Sequence, residues 1–293
     1  MVMTKDIKTQ HPKQASFEVF RYQLVVDQAL QMSMFDKYKN ADDVRADKNN
    51  IFQNILANQN FRFHTPQSDI TSKLLYTNGT LSYFKLGVKR STKVFNKDFS
   101  ENVIDNYPNI IVAINNDPAI QKIAIQDNIK AFADCKTVSH IIQKSVEPKV
   151  RQNNLSFFLE PMYDKQEFWN LVRKYPKQVK QVTFNLISPN LANISKNLQL
   201  NLKELYEDTN TQKTKVELNA EEESYLDIKE NSKFVNSLVD YSADGGGNIQ
   251  MRVAGMRKLI HTAQSPSEFN VEEQLLKSCN WDEWDRLFND ILI

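Results

Sequence analysis

Read as alternating hydrophobic and polar positions, the chain changes period near residue 127. Before that point, short runs rich in β-branched and aromatic residues dominate, a composition that suits half-buried strands. Ser16 to Val26 (SFEVFRYQLVV) sets Phe17, Val19 and Tyr22 among polar neighbours and predicts a strand. Asp47 to Asn58 instead places Ile51, Phe52, Ile55 and Leu56 on one stripe, the pattern of an amphipathic helix. Leu74-Leu75-Tyr76 and Leu81-Ser82-Tyr83-Phe84 flank Asn78-Gly79, two residues that accept positive φ, so a hairpin region is expected over 70–95. A second strand pair, 109–114 and 120–126, is joined by Asn115-Asn116-Asp117-Pro118, in which Asn and Asp can bond their own backbone and Pro presets φ.

Beyond residue 127, helical spacing takes over. Ile129, Phe132, Cys135, Val138, Ile141 and Ile142 predict a helix that Pro148 closes. A buried strand over 155–159 follows. Next comes a helix with Asp164 at its N-cap, Glu167 at N3 and Phe168, Leu171, Val172 and Tyr175 on one face, ended by Pro176. A strand over 179–187, a turn at Pro189-Asn190 and a helix carrying Leu191, Ile194, Leu198, Leu202 and Leu205 come next. Residues 207–223 are polar and read as a solvated loop or hairpin tip. Phe234, Val235, Leu238 and Val239 predict a short helix that Gly245-Gly246-Gly247 stops, leaving a mobile loop. Strands over 248–253 and 257–262 precede a final helix with Trp281, Trp284, Leu287, Phe288 and Ile291 on the face that docks. The expected fold is α+β: a strand-rich N-terminal domain with hairpins over 1–127, and a mixed α/β C-terminal domain over 128–293 ending in that docked helix.

Composition narrows the function classes. Across 293 residues, 37 Lys and Arg face 36 Asp and Glu, so no whole-molecule field draws the chain to nucleic acid or an anionic membrane, and any such partner must meet a local patch. Cys135 and Cys279 stand far apart, which suits a reducing compartment and predicts neither disulfides nor a thiolate zinc site. No long apolar run or secretory h-region is seen, so a cytoplasmic protein without membrane association is expected. On that expectation the tripeptides at Asn78, Asn154 and Asn193 are not glycan acceptors. Usage rich in Asn, Lys, Gln and Ile resembles that of an AT-rich bacterial or phage genome.

Catalytic motifs are few. Gly245–Gly247 lacks the following Lys-Ser/Thr of a phosphate loop and the preceding strand of a dinucleotide fingerprint. His11, His64, His140 and His261 follow no metal-ligand spacing, and Cys135 and Cys279 read as packing residues, so neither metal nor cofactor is predicted. Asp227-Ile228-Lys229 is a D-x-K of the kind metal-dependent nucleases carry on a strand, with Glu204, Glu217 or Glu221 to Glu223 as the second carboxylate. Solvent-facing charge is the alternative.

Basic residues gather in three places. Lys85, Lys89, Arg90, Lys93 and Lys97 are interleaved with Tyr83, Phe84 and Phe95 and have no acid among them over 81–97. Arg173, Lys174, Lys177 and Lys180 bracket a helix end; Arg252, Arg257 and Lys258 lie with His261 on the C-terminal hairpin. Acid is segregated, with a net of −6 over 204–230 and −5 over 268–290. Cations beside rings suit phosphates and bases, although lysines at helix ends are also ordinary solvated surface.

Phe168-Trp169-Asn170-Leu171-Val172, Val182-Thr183-Phe184, Ile187-Ser188-Pro189-Asn190, Val239-Asp240-Tyr241 before the triple glycine, and Arg252 to His261 follow one another in a distinct layout. In these stretches and in its order of elements over 109–262 the chain resembles a family of bacterial proteins encoded near phage-defence genes and, at greater distance, the RexA phage-exclusion proteins of lambda-type prophages. The resemblance implies a DNA-associated, non-enzymatic defence component and carries over no catalytic residues. The expected partner is nucleic acid, DNA before RNA, with a protein partner or homo-oligomer supplying the effect. A metal-dependent nuclease and a protein-interaction subunit are the alternatives.

Overall fold

The computed structural model describes residues 13–28, 37–66, 68–188, 196, 198–262 and 266–292. Among these, thirteen strands and seven helices form an α+β fold with an antiparallel, strand-rich first half and a mixed second half. The expected turn at Pro189-Asn190, the first part of the helix drawn from Leu191, and His11 and Asn193 lie outside the described residues.

One long strand organises the main sheet. β1 (Gln14–Val26) is buried along nearly its whole length. It pairs through residues 17–21 with β7 (Lys122–Gln126), and the sheet continues through β6 (Asn109–Asn115) and β3 (Leu81–Val88) to β2 (Ile70–Thr77). The opposite edge of β1 is shared end to end by two strands from far along the chain. β13 (Glu268–Glu272) takes residues 14–18 and β8 (Leu155–Pro161) takes residues 20–26. Residue 127 therefore does not divide this sheet, which draws strands from both sides of it.

Both faces of the sheet are covered. On one, α1 (Ala41–Ala57) and α2 (Cys135–Arg151) pack Phe52, Ile142 and Val146 against Tyr22, Phe84 and Phe157. On the other, α6 (Glu273–Ser278) and α7 (Trp281–Leu292) bring Trp284 and Phe288 onto Phe17 and Tyr83. Trp281 stacks on Tyr76 at 5.2 Å, and the Asp285 carboxylate accepts hydrogen bonds from Tyr83 and from Asn78 of the β2–β3 turn, each at 2.8 Å. The terminal helix is docked, as its apolar stripe predicts.

A smaller sheet has the order β10 (Lys213–Asn219), β9 (Val179–Ile187), β11 (Gly247–Val253), β12 (Ile260–His261). Its apolar face, with Val182, Phe184, Ile249 and Met251, packs against Phe168 and Trp169 of α3 (Gln166–Lys174) and Leu238 of α5 (Lys233–Tyr241). α4 (Leu202–Thr209) is capped by Asn201. It reaches the main sheet through Tyr206, whose hydroxyl donates to the Val26 carbonyl at 2.6 Å.

Several local expectations are corrected. α2 begins at Cys135, where the Asp134 side chain accepts from Thr137 N at 2.6 Å. Ile129 is left 78% exposed outside the helix. Pro148 lies inside α2; so near the C-terminal end, the helix forfeits one backbone bond without ending. The stretch 207–223 contains β10, whose charged residues alternate with the half-buried Thr214, Val216 and Leu218, the pattern of a strand with one face in solvent. Only Ile260 and His261 of the expected strand 257–262 pair with β11.

The triple glycine opens no mobile loop. Gly245, at φ +79°, lies within the single π turn (Ser242–Gly246) that follows α5, and β11 starts at Gly247. A Cβ would fall 2.5 Å from Arg21 Cβ at Gly245, 2.4 Å from the Tyr241 ring at Gly246 and 2.1 Å from the Asn185 carbonyl oxygen at Gly247. Close approach is the requirement here, since backbone and ring occupy the space a side chain needs. Gly79, at φ +94° with open space around it, needs glycine only for its turn. Gly247→Ala is thus expected to lower unfolding free energy by about 3 kcal/mol or more and Gly79→Ala by about 1 kcal/mol, compared by urea denaturation.

Candidate functional site

The structure separates the three basic groups by their company. Beyond the end of the main sheet, β4 (Arg90–Phe95) and β5 (Glu101–Asn106) form a two-stranded arm that is exposed throughout. Its cations face acids from the returning strand: Lys89 Nζ lies 2.7 Å from Asp105 and Lys93 Nζ 2.7 Å from Glu101. Arg90 donates to the Ala131 carbonyl at 2.9 Å. Lys85 is exposed on β3 and Lys97 sits at the arm's tip. The acid-free stretch in sequence is therefore balanced in space.

The other two groups meet. Antiparallel pairing sets Arg252 opposite Gln181 and Val253 opposite Val179, and Ala254 N donates to the Gln178 carbonyl at 2.8 Å. That register brings Lys177, in the loop before β9, and Lys180, at the start of β9, beside the turn after β11, with Arg257 and Lys258. Arg252 reaches Gln181 Oε1 at 3.4 Å, and Lys180 donates to the Glu222 carbonyl at 2.8 Å and to that of Ser224. Arg173 pairs with Glu230 at the margin, and the Lys174 ammonium lies 5.5 Å from the Tyr175 ring centroid. Among the described residues no ion pair engages Lys177, Arg252, Arg257 or Lys258. Met256 and Leu259 stand exposed beside those last two cations.

Asp227-Ile228-Lys229 is not on a strand. Its acid and amine are both exposed and lie 3.5 Å from each other, while Leu226 and Ile228 turn toward the smaller core. Glu217, one of the carboxylates expected to complete a metal site, lines the same open hollow. It is bound to Lys215, and hydrogen bonds from Lys215 and Asn219 hold its carboxyl down at about 2. Among the described residues no group of three His, Cys, Asp or Glu side chains is placed to hold a metal ion.

A second site has no counterpart in the sequence reading. Between α2, the free edge of β8 and the outward face of β11 and β12 lies a cleft of about 350 Å³. α2 presents Lys136 and His140 to it, one helical turn apart; Asn248 and His261 come from the small sheet, Glu18 from β1 and Glu160 from β8. Burial raises the Glu160 carboxyl, against a hydrogen bond from Asn248 and the charges of Lys213 and Lys136. Burial, then repulsion from Glu268, Asp127 and Asp134, pushes Glu18 up to about 7. The clue in the sequence is an acid inside each of two strands that are otherwise largely apolar, SFEVF and LSFFLEP.

No family model, curated protein or solved structure significantly matches the chain. No helix among the described residues is long and apolar enough to cross a membrane.

Glu18 links stability to pH. Its folded pKa lies above the ordinary 4.5, so the native state holds the proton more tightly and stability falls as pH rises from about 4.5 to 7. Glu18→Gln keeps the neutral form, and its melting temperature is expected to fall less than that of the parent chain between those two pH values.

Proposed function

We propose that this chain is a non-enzymatic, nucleic-acid-binding component of bacterial anti-phage defence, acting in the cytoplasm and contacting phosphates through the basic end of the small sheet. The observation that carries the reading is the convergence there of Lys177, Lys180, Arg252, Arg257 and Lys258, drawn from two distant segments by the β9–β11 register. Cations not tied up in ion pairs can displace condensed counterions from a phosphate backbone, which supplies affinity without sequence preference. Met256 and Leu259 beside them offer apolar contact to sugars or bases. The defence setting rests on the family resemblance noted above, and DNA is taken before RNA on the same ground.

Binding is favoured over cleavage because Asp227 and Lys229 are exposed and lie against each other. The reading makes a salt-dependence claim. Affinity for duplex or single-stranded DNA should fall steeply with salt, and replacing Lys177, Arg257 and Lys258 together by Ala should flatten the log–log slope by about 3. The same triple change at Lys89, Arg90 and Lys93 should flatten it clearly less, because Asp105 and Glu101 already neutralise the two lysines. Absence of binding at ~50 mM salt on every form of DNA and RNA would sink the proposal.

A further inference from the structure

None of Lys177, Lys180, Arg252, Arg257 and Lys258 lines the cleft between α2, β8 and the small sheet. Two carboxyl groups from different strands, Glu18 and Glu160, open onto it, within a volume near the lower end of those that enclose small organic ligands, ~300–1,000 Å³. The two ends of the cleft differ in charge. Around Glu18 stand Glu268 on β13, Asp127 after β7 and Asp134 before α2, with the Cys135 thiol on α2 beside it; His140 is one turn further along the helix. Around Glu160 stand Lys136 on α2 and Lys213 on β10, with Asn248 hydrogen-bonded to its carboxyl and His261 across β11. The charges acting on Glu18 are thus all negative, whereas those acting on Glu160 are positive and come with a hydrogen bond from Asn248.

We propose that this cleft binds a small primary amine with a neutral hydrogen-bonding tail, its ammonium against Glu18 and its tail on Glu160 and Asn248. An ammonium needs acceptors on one side only, whereas a metal ion needs several carboxylates around one point, which the described residues do not provide. The amine's charge relieves the repulsion among Glu18, Glu268, Asp127 and Asp134, so it binds the ionised form of Glu18 and displaces that group's proton. Linkage then requires affinity to rise with pH through the range in which Glu18 titrates.

The test is calorimetry on the full chain with aminopentanol, its uncharged analogue pentanediol, inorganic phosphate and Mg²⁺, at pH 6 and pH 8. Aminopentanol alone should bind, roughly tenfold tighter at pH 8, because a carboxyl titrating near 7 goes from about one-tenth to about nine-tenths ionised. At pH 6 its heat should vary with the buffer's ionisation enthalpy, reporting close to one proton released. Glu18→Gln should abolish the pH dependence, and Glu160→Gln should weaken binding at both pH values. The proposal is overturned if aminopentanol fails to bind at pH 8, if pentanediol, phosphate or Mg²⁺ binds as well, or if affinity is the same at both pH values. The comparison of ligands on the parent chain decides the matter even where a variant fails to fold, and it is independent of nucleic-acid binding.

Discussion

A buried guanidinium ties the main sheet to the turn that opens β11 of the smaller one. Arg21, 5% exposed in the middle of β1, donates to the Asp244 carbonyl at 2.6 Å and to the Ile120 carbonyl at 2.8 Å. Burial alone would disfavour its charge; the nearby Asp244 carboxylate offsets part of that penalty. Carbonyl partners for a buried cation contribute about 1.5–3 kcal/mol each, and their loss leaves the charge unsatisfied. Around this contact the glycine junction closes, because only residues without a Cβ let the segment 245–247 approach β1 and β9 so tightly. Gln23 adds a bond to the Gly245 carbonyl at 3.3 Å, Tyr163 N donates to that of Ala243 at 3.1 Å, and Tyr241 donates to that of Ile187 at 2.6 Å. The start of β11 is thereby tied to the main sheet, and the cleft beside Glu160 follows from that placement.

This arrangement assigns the two ends of β11 different roles. Its first residues are pinned at the junction and supply Asn248 to the cleft. Its last residues lead to an exposed turn, where Arg257 and Lys258 meet the loop before β9. From the anchored end the register runs unbroken as far as Arg252, which is held opposite Gln181, and shifts by one residue only beyond it, where Val253 faces Val179. The basic end and the cleft are separate sites served by one strand.

What the residues reveal unaided tracks how local the responsible interaction is. Asn78-Gly79 predicts its hairpin because the positive φ belongs to the turn itself, and the Trp281–Ile291 stripe predicts a docked helix because its spacing is internal. β10 was hidden by its charges, since a half-exposed strand carries a thin apolar signal: Val216 and Leu218, with polar residues between. Asp134 and Pro148 mislead in opposite senses, one starting α2 later than the apolar period suggests and the other failing to end it. The triple glycine is the clearest limit. Its meaning lies in Arg21, Tyr241 and Asn185, two of them far away in the chain, and no local pattern distinguishes a glycine needed for close packing from one that frees a loop.

The same reasoning explains why charge counted along the chain does not distinguish the three basic groups from one another. Residues 81–97 contain no acid, yet β4 within them pairs with β5, which brings Glu101 and Asp105 diagonally across from Lys93 and Lys89. Residues 173–180 and 252–258 look like two ordinary clusters until the register joins them. In an antiparallel fold the electrostatic neighbour of a strand residue is set by the turn, and a hairpin beginning with cations tends to return with anions, because opposite charges across strands are favourable and like charges are not. Charge that survives this pairing is where a sheet end or a turn has no returning partner. Arg257 and Lys258, in a turn beyond the last paired residues of β11, meet that condition; Lys89 and Lys93 do not.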